Sequence, residues 1–180
     1  MLSEWEGFYL LTGSAAAALI GLLFIVATLM TDVDRPSAER GDKFYMSPIV
    51  FHLCVIVVLS AMALAPVLTV SAFGLACGVA AVAGVADGAY VFQGIFSVRG
   101  EVAPHWSDKY CYAVGPTLSY VALGIIAFGF LRNREWAAGG VGAVLVVLLL
   151  LGIRNAWDLV TYLAPKKGDS ATANEDPGKS

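Results

Sequence analysis

Charged side chains are scarce in this chain of 180 residues, because only 14% of them are Asp, Glu, Lys or Arg, against roughly 25% in an ordinary soluble domain. Hydrophobic residues make up 58% of the chain, and 19 glycines come in addition. This composition excludes a sizeable soluble globular domain. A net charge of −3 without a basic cluster excludes a nucleic-acid partner. The composition predicts a polytopic membrane protein in contact with the lipid bilayer.

Cysteine and histidine are also few, with three and two residues. Apart from His52 and Cys54, none of them lies at ligand spacing from another, so the sequence predicts neither a redox centre nor a metal site. A haem on His52 would need a second axial ligand at comparable depth, and His105 is in a predicted loop. The signatures of hydrolases, metalloproteases and phosphate-binding loops are absent. We therefore expect a protein that is not an enzyme and has no cofactor.

The positions of the charged residues divide the chain into apolar spans. The uncharged run over residues 44–86 is about twice as long as one crossing of a hydrocarbon core of roughly 30 Å requires. Pro66 is the expected break, because proline removes a backbone donor, although a kinked helix through Pro66 would leave four spans. We predict an all-α bundle in a single domain over residues 1–165, with five spans at about 8–30, 48–65, 67–96, 110–131 and 137–163. Residues 166–180 are polar and small, which predicts a disordered tail.

Basic residues in the connections predict the orientation of the bundle. Five spans place the first loop, the third loop and the C-terminal tail on one side of the membrane, and this side carries eight Lys and Arg residues against two on the other. The asymmetry predicts that the N-terminus is outside and the C-terminus is cytoplasmic. The eight residues are Arg35, Arg40, Lys43, Arg99, Lys109, Lys166, Lys167 and Lys179, and the two are Arg132 and Arg134.

Three charged residues lie inside the predicted spans, namely Asp87, Arg154 and Asp158. Such charges are expensive in a bilayer unless they are paired or hydrated. Arg154 and Asp158 are four residues apart and share a helix face, while Asp87 lies at a matching depth in span three. We therefore expect one polar cluster in the cytoplasmic half, in which Arg154 neutralises both acids. Its other predicted members are His52, Thr117, Tyr120 and Asn155.

This predicted cluster has two interpretations. In the first, the network fixes the register of the packed spans, as buried ion pairs do in some proteins. In the second, it forms a site for a ligand, a proton or a partner, because intramembrane ionisable groups are functional candidates. The outer half offers few polar side chains, which argues against an open channel in the monomer. The leading hypothesis is a non-enzymatic membrane protein whose network organises the bundle and forms a partner or ligand site. The alternative is a small ion or proton transporter, or a channel subunit.

Small residues recur at helical spacing on two of the spans. Gly13, Ala17 and Gly21 repeat every four residues on span one, and Gly84 is followed by Gly88 on span three. Such faces let helix backbones approach closely in lipid. They serve either packing within the bundle or, on span one, an interface with a second copy or with another membrane protein. The sequence leaves both uses open.

Both ends of the chain resemble a family of small bacterial multi-pass membrane proteins. The resemblance rests on FYLLTGSAAAALIGLLFIVATL near the start and LLLLGIRNAWDLVTYL near the end. It implies a location in the bacterial plasma (inner) membrane and groups Arg154, Asn155, Trp157 and Asp158 as one unit. It implies no substrate and no reaction.

Overall fold

The structure, a computed structural model, describes residues 2–29, 47–97 and 109–163. The regular elements in these ranges are all helical. They are a short 3-10 turn (Ser3–Trp5), α1 (Glu6–Leu29), α2 (Ser47–Leu64), α3 (Val70–Ser97), a π-helical turn (Lys109–Val114), α4 (Gly115–Leu131) and α5 (Trp136–Leu163). The predicted tail over 166–180 lies outside the described residues.

The five helices α1 to α5, the π-helical turn included with α4, are each long and apolar enough to cross a membrane. Only 17% of the most apolar window of α1 and 44% of that of α5 is buried inside the bundle. Large apolar side chains such as Leu11 and Phe24 therefore point outward. Helices that are hydrophobic all round require a lipid environment. The predicted all-α membrane bundle of five helices is confirmed, and the chain is a multi-pass membrane protein.

Two turns join helices within the described residues, and each has a local cause. Pro66 lies between the end of α2 and the start of α3, where the Leu68 amide donates to the Ala65 carbonyl at 3.2 Å. Pro66 is therefore part of a turn and does not kink a continuous helix. After α4, Asn133 takes a φ of 50°, and the Arg134 amide donates to the Gly129 carbonyl at 3.0 Å. This is the left-handed end that asparagine tolerates.

The helices pack as two antiparallel pairs joined by the last helix. α1 lies along α2, α3 lies along α4, and α5 contacts α4, α2 and α1. Contact between α3 and α5 is marginal. We call the end that holds the turns after α2 and α4 the turn side, and the opposite end the loop side. The loop side is the one that the distribution of basic residues predicts to be cytoplasmic.

Aromatic side chains fill the turn side of the bundle. The Tyr9 hydroxyl of α1 donates to the Ala138 carbonyl of α5 at 2.8 Å. The Tyr9 ring meets Phe73 of α3 edge to face, and Phe73 meets Phe130 of α4 in the same way with ring centroids 5.2 Å apart. All three rings are fully buried. Four of the five helices are thus held together at this end by an apolar plug with one satisfied hydroxyl.

Candidate functional site

A buried hydrogen bond joins α2 to α4 in the loop-side half. His52 Nδ1 and the Tyr120 hydroxyl are 2.9 Å apart, and only 2% of His52 and none of Tyr120 is exposed. The two rings also pack against each other, with centroids at 5.5 Å. Polar groups away from water must satisfy each other, so two side chains that the sequence places at similar depth become partners. The apolar ring of Phe51 covers the pair.

Two glycines of α3 form the seat on which this part of α4 lies. A Cβ atom added to Gly84 would clash with the Tyr120 ring, and one added to Gly88 would clash with Thr117 Oγ1. The Thr117 hydroxyl donates to the Ala113 carbonyl one turn earlier at 2.7 Å. Helices in lipid associate through such close approaches of small residues. The close packing of α3 on α4 brings Asp87, which precedes Gly88, next to this region.

One carboxylate oxygen of Asp87, Oδ2, is buried and has no hydrogen-bond partner among the described residues. The residue as a whole is partly exposed, and it lies between Gly84, which packs on Tyr120, and Gly88, which packs on Thr117. We call Asp87, Thr117, Tyr120 and His52 the loop-side cluster.

The predicted network of Asp87, Arg154 and Asp158 is wrong. The described part of the chain contains no buried network of these acids with the arginine. Asp87 is on α3, which packs along α4 and only marginally touches α5. On α5, Asn155 is buried, whereas Arg154 is exposed and Asp158 is half-exposed. Since successive residues of a helix differ by about 100° in direction, Arg154 lies beside the buried face and not within it.

Asn155 has a different set of partners, at the junction of α5 with the π-helical turn. Its Nδ2 donates to the Cys111 carbonyl at 2.9 Å, and its Oδ1 accepts from Arg154 at 3.2 Å. The Tyr112 hydroxyl donates to the Asn155 carbonyl at 2.9 Å. Only 1% of Asn155 is exposed. The sequence analysis did not identify Tyr112 and Cys111. Pro116 was a signal for them, because proline has no amide hydrogen and leaves a carbonyl of the preceding turn without its backbone donor.

Two polar side chains of the turn-side half bond to nearby backbone, and a third has no partner among the described residues. Thr12 donates to the Phe8 carbonyl within α1 at 2.8 Å, and the Thr69 hydroxyl accepts from the Ala72 amide at the start of α3. Ser60 of α2 packs against Gly13 of α1, and its buried hydroxyl has no partner among the described residues. The hydrogen bonds of Thr12 and Thr69 each stay within one helix or its first turn and do not join the helices to one another.

The small residues of α1 fall on two different surfaces. A Cβ atom at Gly13 would lie 2.8 Å from the Ser60 Cβ, so this glycine packs within the bundle. Ala17 is exposed, and a Cβ atom at Gly21 would have no heavy atom within 4 Å. The part of this face formed by Ala17 and Gly21 therefore points away from the other described helices.

The cluster lacks the composition of a metal centre. The described residues contain no group of three or more His, Cys, Asp or Glu side chains that could hold a metal ion.

Comparisons of the chain with protein-family models, with curated proteins and with solved structures gave no match. The function must therefore be argued from the cluster itself.

Proposed function

We propose that the chain is a non-enzymatic protein of the bacterial plasma membrane whose loop-side cluster organises the packing of α2, α3 and α4 and forms a site reached from one side. The observation that carries the proposal is the buried hydrogen bond between His52 and Tyr120. Hydrogen bonds between spans hold helices together in lipid, where burying apolar surface contributes little. The assignment to the bacterial plasma membrane rests on the resemblance of the two ends of the chain.

The one-sided character of the site follows from where the cluster lies. Asp87 is half-exposed, and it lies in the half of the bundle away from the aromatic plug formed by Tyr9, Phe73 and Phe130. We therefore infer that a ligand or partner reaches Asp87 from the loop side. The plug separates the cluster from the turn side.

A double-mutant cycle tests the organising role. We expect His52→Leu and Tyr120→Phe each to lower the thermostability of the protein in detergent, because each leaves a buried polar partner unsatisfied. The double variant should lose less than the sum, with a coupling energy of about 1 kcal/mol, typical of interhelical hydrogen bonds. Tyr112→Phe removes a different buried hydroxyl, which bonds to Asn155, and should be additive with His52→Leu. Strict additivity of His52→Leu with Tyr120→Phe would contradict the proposal.

A second candidate function is that of a proton or ion transporter, or of a subunit of one. It is favoured by one observation, the buried Asp87 Oδ2 atom that has no hydrogen-bond partner among the described residues. Ionisable groups inside membrane spans commonly mark ion and proton pathways. The aromatic plug on the turn side counts against a continuous path, so this candidate ranks second.

A further inference from the structure

The side chains that the structure describes give the buried Oδ2 oxygen of Asp87 no hydrogen-bond donor, and Arg154 is on a helix that barely touches α3. An ionised carboxylate in an apolar environment is unstable unless a cation or a proton neutralises it. Among the described residues no cation neutralises the buried Asp87 oxygen, which favours its neutralisation by a proton or by a bound ion.

The groups around Asp87 favour a proton over a metal cation. Hard cations take six or more oxygen ligands, and the described residues contain no group of three or more His, Cys, Asp or Glu side chains that could supply several of them. The titratable group of α4 next to this part of α3 is Tyr120, whose ring packs on Gly84 about one turn before Asp87, and the hydrogen-bond partner of Tyr120 is His52 of α2. The π-helical turn also packs against α3, but its Tyr112 hydroxyl is directed to the Asn155 carbonyl of α5. A proton needs only one carboxylate oxygen and no coordination shell.

We propose that Asp87 is a proton-binding site filled from the loop side, and that its charge state acts on the hydrogen bond between Tyr120 and His52. The inference deepens the proposed function, since it assigns a ligand to the loop-side cluster and rests on that cluster being formed. The proton adds to a carboxylate oxygen of Asp87 and no other bond changes. Before protonation, the negative charge polarises the nearby Tyr120 hydroxyl, and protonation removes that field. The hydrogen bond to His52 Nδ1 therefore differs between the two states.

Infrared difference spectroscopy of the purified full-length protein tests the proton site. A pH jump produces the C=O stretching bands of all carboxylic acids that bind a proton, in a range clear of amide absorption, and we expect one of these bands to belong to Asp87. The band should be lost in Asp87→Asn, shifted in Asp87→Glu and unchanged in Asp158→Asn, a matched control on α5. Labelling aspartate with carbon-13 should shift the band in the unaltered chain, which needs no variant. A missing band, or one that persists in Asp87→Asn, would overturn the inference.

A cation bound at Asp87 in place of the proton would give different infrared and thermostability results. It would give no carboxylic acid band from Asp87 and a thermostability that rises with sodium or potassium at constant pH in the unaltered chain but not in Asp87→Asn. That result would overturn the proton site. The two probes are the salts themselves, added as chlorides to the detergent-solubilised protein.

Nitrogen-15 NMR of the imidazole ring tests the coupling to His52. The chain has only two histidines, so a His105→Gln background leaves a single ring signal. We expect the Nδ1 shift of His52 to change with pH at the same midpoint as the infrared band, and to become constant with pH in Asp87→Asn. A change that persists in Asp87→Asn would belong to His52 alone and would overturn the coupling. The failure of either spectroscopic test leaves the His52 and Tyr120 cycle unaffected, so it is distinguishable from failure of the proposed function.

Discussion

The side-chain amide of Asn155 on α5 donates a hydrogen bond to the backbone carbonyl of Cys111 over 2.9 Å. In a π-helical turn each carbonyl accepts from the amide five residues further on. For Cys111 this residue is Pro116, which has no amide hydrogen. Asn155 therefore supplies to the start of α4 the donor that proline removes. Non-helical backbone at membrane depth is tolerated when a neighbouring helix satisfies it in this way.

Replacing Asn155 should expose this dependence. We expect Asn155→Leu to lower the free energy of unfolding by about 1–3 kcal/mol, because the Cys111 carbonyl loses its buried side-chain donor. Pro116→Ala in the same chain should restore part of the loss, since it returns a backbone amide to position 116. The measurement is thermal unfolding in detergent for the two single variants and the double variant. If Pro116→Ala worsened Asn155→Leu by its full separate effect, the proposed substitution of donors would be incorrect.

Arg154 and Asp158 should be less important for stability than their position inside a predicted span indicates. Arg154 is exposed and Asp158 is half-exposed, so neither is buried as the sequence led us to expect. We expect Arg154→Leu to lower the midpoint of thermal unfolding less than Asn155→Leu does. Asp158→Asn should have an effect of similar small size, about 1 kcal/mol or below, as for partly solvated ionic groups. If Arg154→Leu abolished expression and the added change Asp158→Asn recovered it, the two residues would form a buried ion pair, contrary to this prediction.

The seam between α3 and α4 should tolerate no additional carbon atoms at its two glycines. Gly84→Ala would place a methyl group in the Tyr120 ring, and Gly88→Ala would place one on Thr117 Oγ1. Overpacking of this kind typically costs about 1–3 kcal/mol. Gly21→Ala is the matched control, because a Cβ atom there meets nothing within 4 Å. The thermostability of the three variants gives the comparison.

A companion change sharpens the test of the seam. Thr117→Ser keeps the hydroxyl of α4 and Thr117→Ala removes it, so Gly88→Ala should be rescued by Thr117→Ala more than by Thr117→Ser. A loss of stability in Gly21→Ala equal to that in Gly88→Ala would point instead to contacts of α1 with a second chain.

The orientation of the bundle remains a prediction from basic residues. Eight Lys and Arg side chains lie on the predicted cytoplasmic side and two lie opposite, which favours a cytoplasmic C-terminus. A reporter fused after Ser180 should therefore be active in the cytoplasm, and one inserted in the turn at residues 133–136 should be active outside. Reporters on the same side at both positions would contradict the orientation and the alternation of the five helices.

The sequence predicts depth in the membrane better than direction around a helix. The length of each apolar run and the break at Pro66 were sufficient for five helices, because a hydrocarbon core admits only certain lengths. His52 and Tyr120 were expected at one level, and the structure joins them. The pairing of Asp87 with Arg154 failed because the sequence contains no information on which helices are neighbours. In lipid, apolar residues surround each helix, so the hydrophobic pattern that fixes direction in soluble proteins is weak.

Proton flux distinguishes the one-sided site from a transporter. On the turn side the Tyr9 hydroxyl bonds to the Ala138 carbonyl, and Phe73 packs against Phe130. A proton that reaches Asp87 from the loop side therefore meets this apolar plug on its way across. We expect proteoliposomes that contain the protein and an internal pH-sensitive dye to lose an imposed pH gradient no faster than liposomes with Asp87→Asn. Flux that requires Asp87, persists in Asp158→Asn and responds to membrane voltage would establish transport, and it would mean that the plug opens in the working protein.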